Sequence, residues 1–306
     1  MKFGNFKFTA KEILFFLLLV AIVYRSPYIL FHGRFSAEEG SLYFANAYKE
    51  GFLYSIFFID FSSGYFNLWA NISGIIANLF SLKLSPLISN YLALIPILLI
   101  FHTVIYKSSY LTDNLNNKII LSFIILFSPN NVPEVWLNSI NAQIFLCILT
   151  FLILCKKNGK NNISFFDLVV ILFSALSGIY TCILTPIFFY KLSIYKTIQD
   201  KYNFVTILSC TFIQFVFVLY SKFNNILHAK KLHPIDFELI INYVYNIPVK
   251  SFLGRELTHF FYNLINLNSK YVFLLFCMIL TITVIYFFYY FKKNINTYFK
   301  NKFLLY

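Results

Sequence analysis

Two adjacent carboxylates, Glu38 and Glu39, sit in the run Arg34-Phe-Ser-Ala-Glu-Glu-Gly40, directly after the first long apolar stretch of the chain. Charge is scarce: 12% of residues are charged and 59% hydrophobic. An ionisable group beside a bilayer is costly, and so marks a functional site. A carboxylate in such a place can take a proton from an attacking hydroxyl or ligate a metal ion. Leu42-Tyr43-Phe44-Ala45 and Tyr48 follow Gly40 with the pattern of a short helix lying at a membrane interface. The two carboxylates would stand at its start, where the helix dipole favours negative charge. An acidic turn that only caps a helix has the same residues.

A second constellation runs from Pro133 to Gln143, where Glu134, Asn138 and Asn141 recur at i, i+4 and i+7. On a helix this spacing aligns all three on one face, with Trp136 pointing elsewhere as an interfacial anchor. A polar stripe entering a membrane helix must face a cavity or another helix, because unsatisfied amides in hydrocarbon are costly. It therefore serves either a ligand or helix-to-helix hydrogen bonds. The third set is basic: Lys230, Lys231 and Arg255, with His228, His233, Lys250 and His259, all in the stretch 222–269. The chain has 22 lysines and three arginines, and an arginine can grip a phosphate bidentately where lysine cannot. Arg255 could equally pair with Glu256 or lipid headgroups. The other arginines, Arg25 and Arg34, flank the end of the first apolar stretch.

What must position these residues is a membrane protein. With 40 Phe and 23 Tyr in 306 residues, the chain has too little polar surface to cover a soluble domain. The expected class is all-α, a polytopic integral membrane protein of about 8–10 transmembrane helices. The net charge of +13 lies in short lysine clusters between apolar spans, where membrane topology explains it and nucleic-acid binding is excluded. The five cysteines stand inside apolar stretches without CxxC spacing, so they pack rather than pair or bind metal. No glycine-rich phosphate loop, GxSxG elbow, HExxH or His/Cys ligand cluster occurs. The first apolar run has no small-residue cleavage site after it and is read as an uncleaved helix with the N-terminus inside.

Spans are expected at about 12–32, 65–82, 86–106, 138–155, 202–221 and 270–291. A shorter one is expected at 118–129, and 165–195 is split in two by a turn near Ser177 to Thr181. Residues 33–64 form a first outer loop and 222–269 a late one, both long enough to carry interfacial helices within a single membrane domain, 1–306. Lysines at 156–160, 191–201 and 292–302 mark inside loops. Counted forward from an inside N-terminus, these spans put 107–118 outside, whereas the later lysines require it inside. A hidden extra crossing within 65–106, broken at Pro86 or Pro96, is the favoured way to reconcile them; a re-entrant short span is the other.

The chain resembles polytopic bacterial glycosyltransferases of the GT-C type, which use polyprenyl-phosphate sugars. Phe35-Ser-Ala-Glu-Glu-Gly40, then Ala45-Asn-Ala-Tyr48 and Gly51, is similar to that family's acidic first-loop motif, and Gly64-Tyr65 stands where the loop returns. Pro129 to Gln143 is similar to a second motif at the start of a later helix. Leu176-Ser-Gly178 with Thr185-Pro186 resembles the paired short helices that follow, and Gly254-Arg255 is a further match. Glu39 replaces the family's usual aspartate, and Phe35-Ser36 its aromatic-alanine opening. The resemblance implies an inverting hexosyl- or pentosyltransferase of the bacterial cytoplasmic membrane, acting on an envelope glycan or lipid-linked acceptor at the outer face. In it Glu39, or else Glu38, takes the acceptor's proton. Arg255, with Lys230, Lys231 or Arg34, meets the charge developing on the lipid phosphate. Glu134, Asn138 and Asn141 line the sugar pocket. Relatives of this kind include ones that hold a divalent cation at the acidic loop; nothing in these residues demonstrates one. A transporter or flippase of lipid-linked sugars, and a non-catalytic membrane subunit, are the alternatives.

Overall fold

The computed structural model describes residues 9–107, 114–127, 136–156 and 163–224. By internal contacts the chain divides into two units, 1–126 with 133–229 and 127–132 with 230–306. Apart from Phe127, everything described belongs to the first. The expected span 270–291 and the loop 225–269 lie outside the described residues.

The described residues are mostly helical, and no β-strand forms among them. In chain order the helices are α1 (Ala10–Arg25), α2 (Pro27–His32), α3 (Ala45–Glu50), α4 (Phe52–Ile56), α5 (Leu68–Asn78) and α6 (Ser85–Tyr106). There follow α7 (Leu115–Phe127), α8 (Ala142–Cys155), α9 (Phe165–Leu176), α10 (Thr185–Tyr195) and α11 (Ile198–Phe223). A π-helical turn, Glu39–Phe44, precedes α3, and a 3₁₀ turn, Thr181–Leu184, precedes α10. Two helices, α6 and α11, are long and apolar enough to cross a membrane. Helices α7 to α10 run 13, 14, 12 and 11 residues, so each would need its flanking turns to complete a crossing of about 30 Å.

Local chemistry explains most boundaries. Thr9 and Glu12 form a reciprocal capping box that starts α1. Where one span, 12–32, is expected, two helices form, because Ser26 precedes Pro27 and the residue before a proline leaves the helical region. The expected break in 165–195 separates α9 from α10 across Ser177 to Leu184, with Gly178 at φ +143°.

The clearest departure is at 65–82. Helix α5 occupies only Leu68–Asn78, 11 residues, or about 16 Å, and its amides are spent on neighbouring loops. Asn71 Nδ2 donates to the carbonyls of Ile56 and Phe58, and Asn78 Nδ2 to Ala47. The helix packs against the π-turn, α3 and α4. Gly74 is required for this approach, since a Cβ there would lie 2.7 Å from the Tyr43 carbonyl oxygen. The stretch that follows is not broken at Pro86 or Pro96: α6 runs from Ser85 to Tyr106 through Pro96.

The core joins α1, α6, α7, α8, α9, α10 and α11 around buried Leu18, Ile100, Phe101, Leu149, Ile171 and Ile207. Its opposite ends are polar in different ways. At the junction of α8 to α11, Lys156 pairs with Asp167 at 2.7 Å and Lys191 with Asp200 at 3.2 Å. Lys191 Nζ also donates to the Lys156 carbonyl. Near the start of α7, buried Lys118 donates to the Ile105 carbonyl. The acidic first loop is gathered at the other end of α8 and α9.

Candidate functional site

Glu39 opens the π-helical turn and is 2% exposed. Its Oε2 accepts from the Ser36 backbone N–H at 2.8 Å. Its Oε1 accepts from the Ser139 N–H at 2.6 Å and the Ser89 hydroxyl at 3.0 Å. The Ser89 hydroxyl in turn meets that of Ser73 at 3.0 Å. One carboxylate thus ties together the first loop, α6 and the turn before α8, with α5 attached through Ser73. The next residue of α6 repeats the clamp. Asn90 accepts from Arg34 N–H and donates to the carbonyls of Arg34 and Leu137. Both segments so held contain a non-glycine residue with positive φ, Ala37 at +50° and Leu137 at +55°. Such strain persists only where surrounding bonds over-determine the backbone. Burial pushes the Glu39 carboxyl above its ordinary range, against the pull of its donors.

Glu38, the neighbour in sequence, is exposed. It precedes the π-turn without capping it, and its carboxylate makes no hydrogen bond among the described residues. Of the pair, Glu38 is the one a substrate could reach. Beside it stand two tyrosines. Tyr43, buried one turn further along, packs edge-on against Phe58. Burial, then neighbouring Tyr65, Asp60 and Glu38, hold its phenol above the usual range. Tyr65 is half-buried and accepts a hydrogen bond from Gln143 Nε2 at 3.3 Å. Burial raises its phenol too, that bond opposes the rise, and Tyr180, Glu38 and Asp60 add to it. Asp60 behaves oppositely. Its partial burial is outweighed by bonds from Ser62 and Ser63, which hold the carboxyl below its ordinary value. Glu38 and Asp60 thus both act electrostatically on the phenols of Tyr43 and Tyr65.

The other expected residues fare differently. Asn138 and Asn141 do not form a helical stripe, because α8 begins only at Ala142 and residues 136–141 are a turn. Asn138 is 1% exposed, and its side-chain oxygen accepts from the N–H groups of Ile140 and Asn141, a local turn that competes with helix. Trp136 is no surface anchor. It is buried, with the Arg25 guanidinium 3.8 Å above its ring. Arg34 is held through its backbone to Asn90. Glu134, Lys230, Lys231 and Arg255 lie outside the described residues.

Sequence inspection singled out neither Ser89 and Asn90 nor Gln214. Gln214 is 1% exposed. It accepts from Phe66 N–H and donates to the carbonyls of Phe66 and Ala175, fixing the strand-like backbone beside Tyr65. The available signal was an amide or hydroxyl inside an otherwise apolar helix, which must find a partner. Among the described residues no three His, Cys, Asp or Glu side chains converge as a metal site would require. Glu39 in particular faces N–H and O–H donors where a ligand would face a cation. Comparison of the chain with protein-family models, with curated proteins and with solved structures finds no match to any of them.

Proposed function

We propose that the protein is a polytopic membrane glycosyltransferase, similar in kind to the GT-C type. It would move a sugar from a polyprenyl-phosphate donor to an envelope glycan or lipid-linked acceptor on the outer face of a bacterial cytoplasmic membrane. The observation that carries this is the exposed, uncommitted Glu38 carboxylate, fixed in place by its buried neighbour Glu39 at the polar end of an apolar helical bundle.

The proposed step is a single displacement. Glu38 takes the proton of an acceptor hydroxyl as its oxygen bonds to the anomeric carbon. The bond from that carbon to the phosphate oxygen breaks on the opposite face, so configuration inverts and polyprenyl phosphate leaves. Glu39 is assigned the holding of this geometry, because a carboxylate saturated with donors and 2% exposed does not meet a substrate hydroxyl. Arg34 and, outside the described residues, Lys230, Lys231 and Arg255 are the cations proposed to meet the phosphate charge. No step is assigned to a divalent ion.

The placement of α5 supports an outward-facing site. With α5 kept beside the first loop, α1 leads out, α6 in, α7 out, α8 in, α9 out, α10 in and α11 out. Lys107, Lys156 and the lysines of 191–201 then all fall inside, as the positive-inside rule requires. This arrangement supports the reading in that it would need no hidden span to meet the later lysines.

The test is the mass of the surface glycan in a strain lacking the protein, complemented with wild type, Glu38→Gln or Glu39→Gln at matched expression. Loss of one sugar mass, restored by wild type and not by Glu38→Gln, is expected. Full restoration by Glu38→Gln would overturn the assignment of the base, and an unchanged glycan in the deletion strain would overturn glycosyl transfer.

A further inference from the structure

We propose that Asp60 and Tyr65, backed by Gln143, form a binding subsite beside Glu38 for two hydroxyls of a sugar ring. Its role in a reaction rests on the transfer activity proposed above; the binding itself does not. Asp60 and Tyr65 face each other across the tight turn 61–64, joined as an isolated antiparallel pair, with Gly64 at φ +75° closing the turn. Residues so paired present their side chains to the same face.

Each group is pre-set for one half of the recognition. Ser62 N–H and hydroxyl occupy Asp60 Oδ1, and the Ser63 hydroxyl Oδ2. The carboxylate is oriented by them and, being half exposed, keeps lone pairs toward solvent. The Tyr65 oxygen already accepts from Gln143 Nε2, so its own O–H proton is left to donate. Gln143 is enclosed by packing. It is 4% exposed, and its Oε1 has no hydrogen-bond partner and lies against Gly178, where a Cβ would come within 1.6 Å. Gln214 fixes the next backbone unit, Phe66, from both sides. Tyr180, 46% exposed, acts on Tyr65 and adds an aromatic surface.

A held donor and a held acceptor presented on the same face match two hydroxyls of one ring, each of which can donate and accept. The two carboxylates, Glu38 and Asp60, repel an anion, so the subsite suits the neutral sugar and not the phosphate of a lipid donor. A site built to bond a hydroxyl rejects an analogue lacking it, because its own polar groups are left unpaired.

The experiment is saturation-transfer difference NMR on the full chain in nanodiscs, with methyl glucoside, galactoside, mannoside and xyloside as probes. At least one glycoside is expected to bind, with Tyr65→Phe and Asp60→Asn each weakening it about tenfold and Lys83→Ala leaving it unchanged. Thermal unfolding of each variant checks its fold. Absence of binding by all four, or binding unaffected by both site variants, overturns the subsite. If the deletion strain keeps its glycan while the two variants lose glycoside binding, transfer falls and the subsite stands. If transfer needs Glu38 while neither variant weakens binding, the subsite falls and transfer stands.

Discussion

Exchanging Glu39 for glutamine separates a structural clamp from a catalytic base, and its cost can be worked bond by bond. The carboxylate takes donors at 2.6 and 3.0 Å on Oε1 and at 2.8 Å on Oε2. Glutamine keeps one oxygen, which can still serve Ser139 and Ser89, but sets an NH₂ against the Ser36 N–H. The loss is one charge-assisted hydrogen bond, and a buried donor is left unsatisfied, together about 2–3 kcal/mol. Alanine would strand both backbone donors and cost about 2–6 kcal/mol. For a chain of 306 residues 2–3 kcal/mol lowers the unfolding midpoint by about 3–5 °C. Glu38→Gln, at an exposed site, should stay within about 0.5 kcal/mol of wild type. Thermal unfolding of purified protein in nanodiscs, read by intrinsic fluorescence, gives both numbers. A Glu39→Gln midpoint equal to that of Glu38→Gln would refute the clamp, since no buried carboxylate bound by three donors can lose one of them without cost.

Gly178→Ala forces a Cβ into Gln143 Oε1 at a backbone angle that glycine alone tolerates, so it should cost about 1–3 kcal/mol. Adding Gln143→Ala should recover part of that, and strictly additive costs in a double-mutant cycle would count against the contact. Single cysteines in a chain freed of its native ones should react with an impermeant maleimide on intact cells at Lys83, and at Lys107 only after permeabilisation; the reverse pattern would show α5 to be a crossing. Glu39 and Asp60 also give opposite pH dependence. The raised Glu39 value makes the folded state hold its proton longer, so stability is greatest below about pH 4.5 and falls as pH rises through the folded value. The lowered Asp60 value contributes stability above about pH 3.8 that is lost as pH falls through it. Glu39→Gln should flatten the upper limb only, and an unchanged upper limb would mean that Glu39 does not titrate there.

Composition alone determined that this chain is helical and apolar, since long runs of Phe, Ile and Leu bury nowhere else, and proline and glycine placed several breaks in view, at Ser26-Pro27 and at Gly178. It also pointed to the acidic pair. Which member of the pair faces out was beyond its reach, because adjacent residues on a π-turn differ only in what packs against them. Ser89 and Ser139 close on Glu39 from segments 50 and 100 residues away, joining Ser36 three residues before it. The fate of 65–82 was equally undetermined: hydropathy sees apolar residues, whereas Asn71, Ser73 and Asn78 find partners in the first loop and keep α5 there. Asn138 fits a helical face by spacing, yet its side chain bonds the next two N–H groups and holds a turn instead. Asp60, Tyr65 and Gln143 become one neighbourhood only when α8 and the turn before α5 meet, a long-range contact that no local pattern encodes.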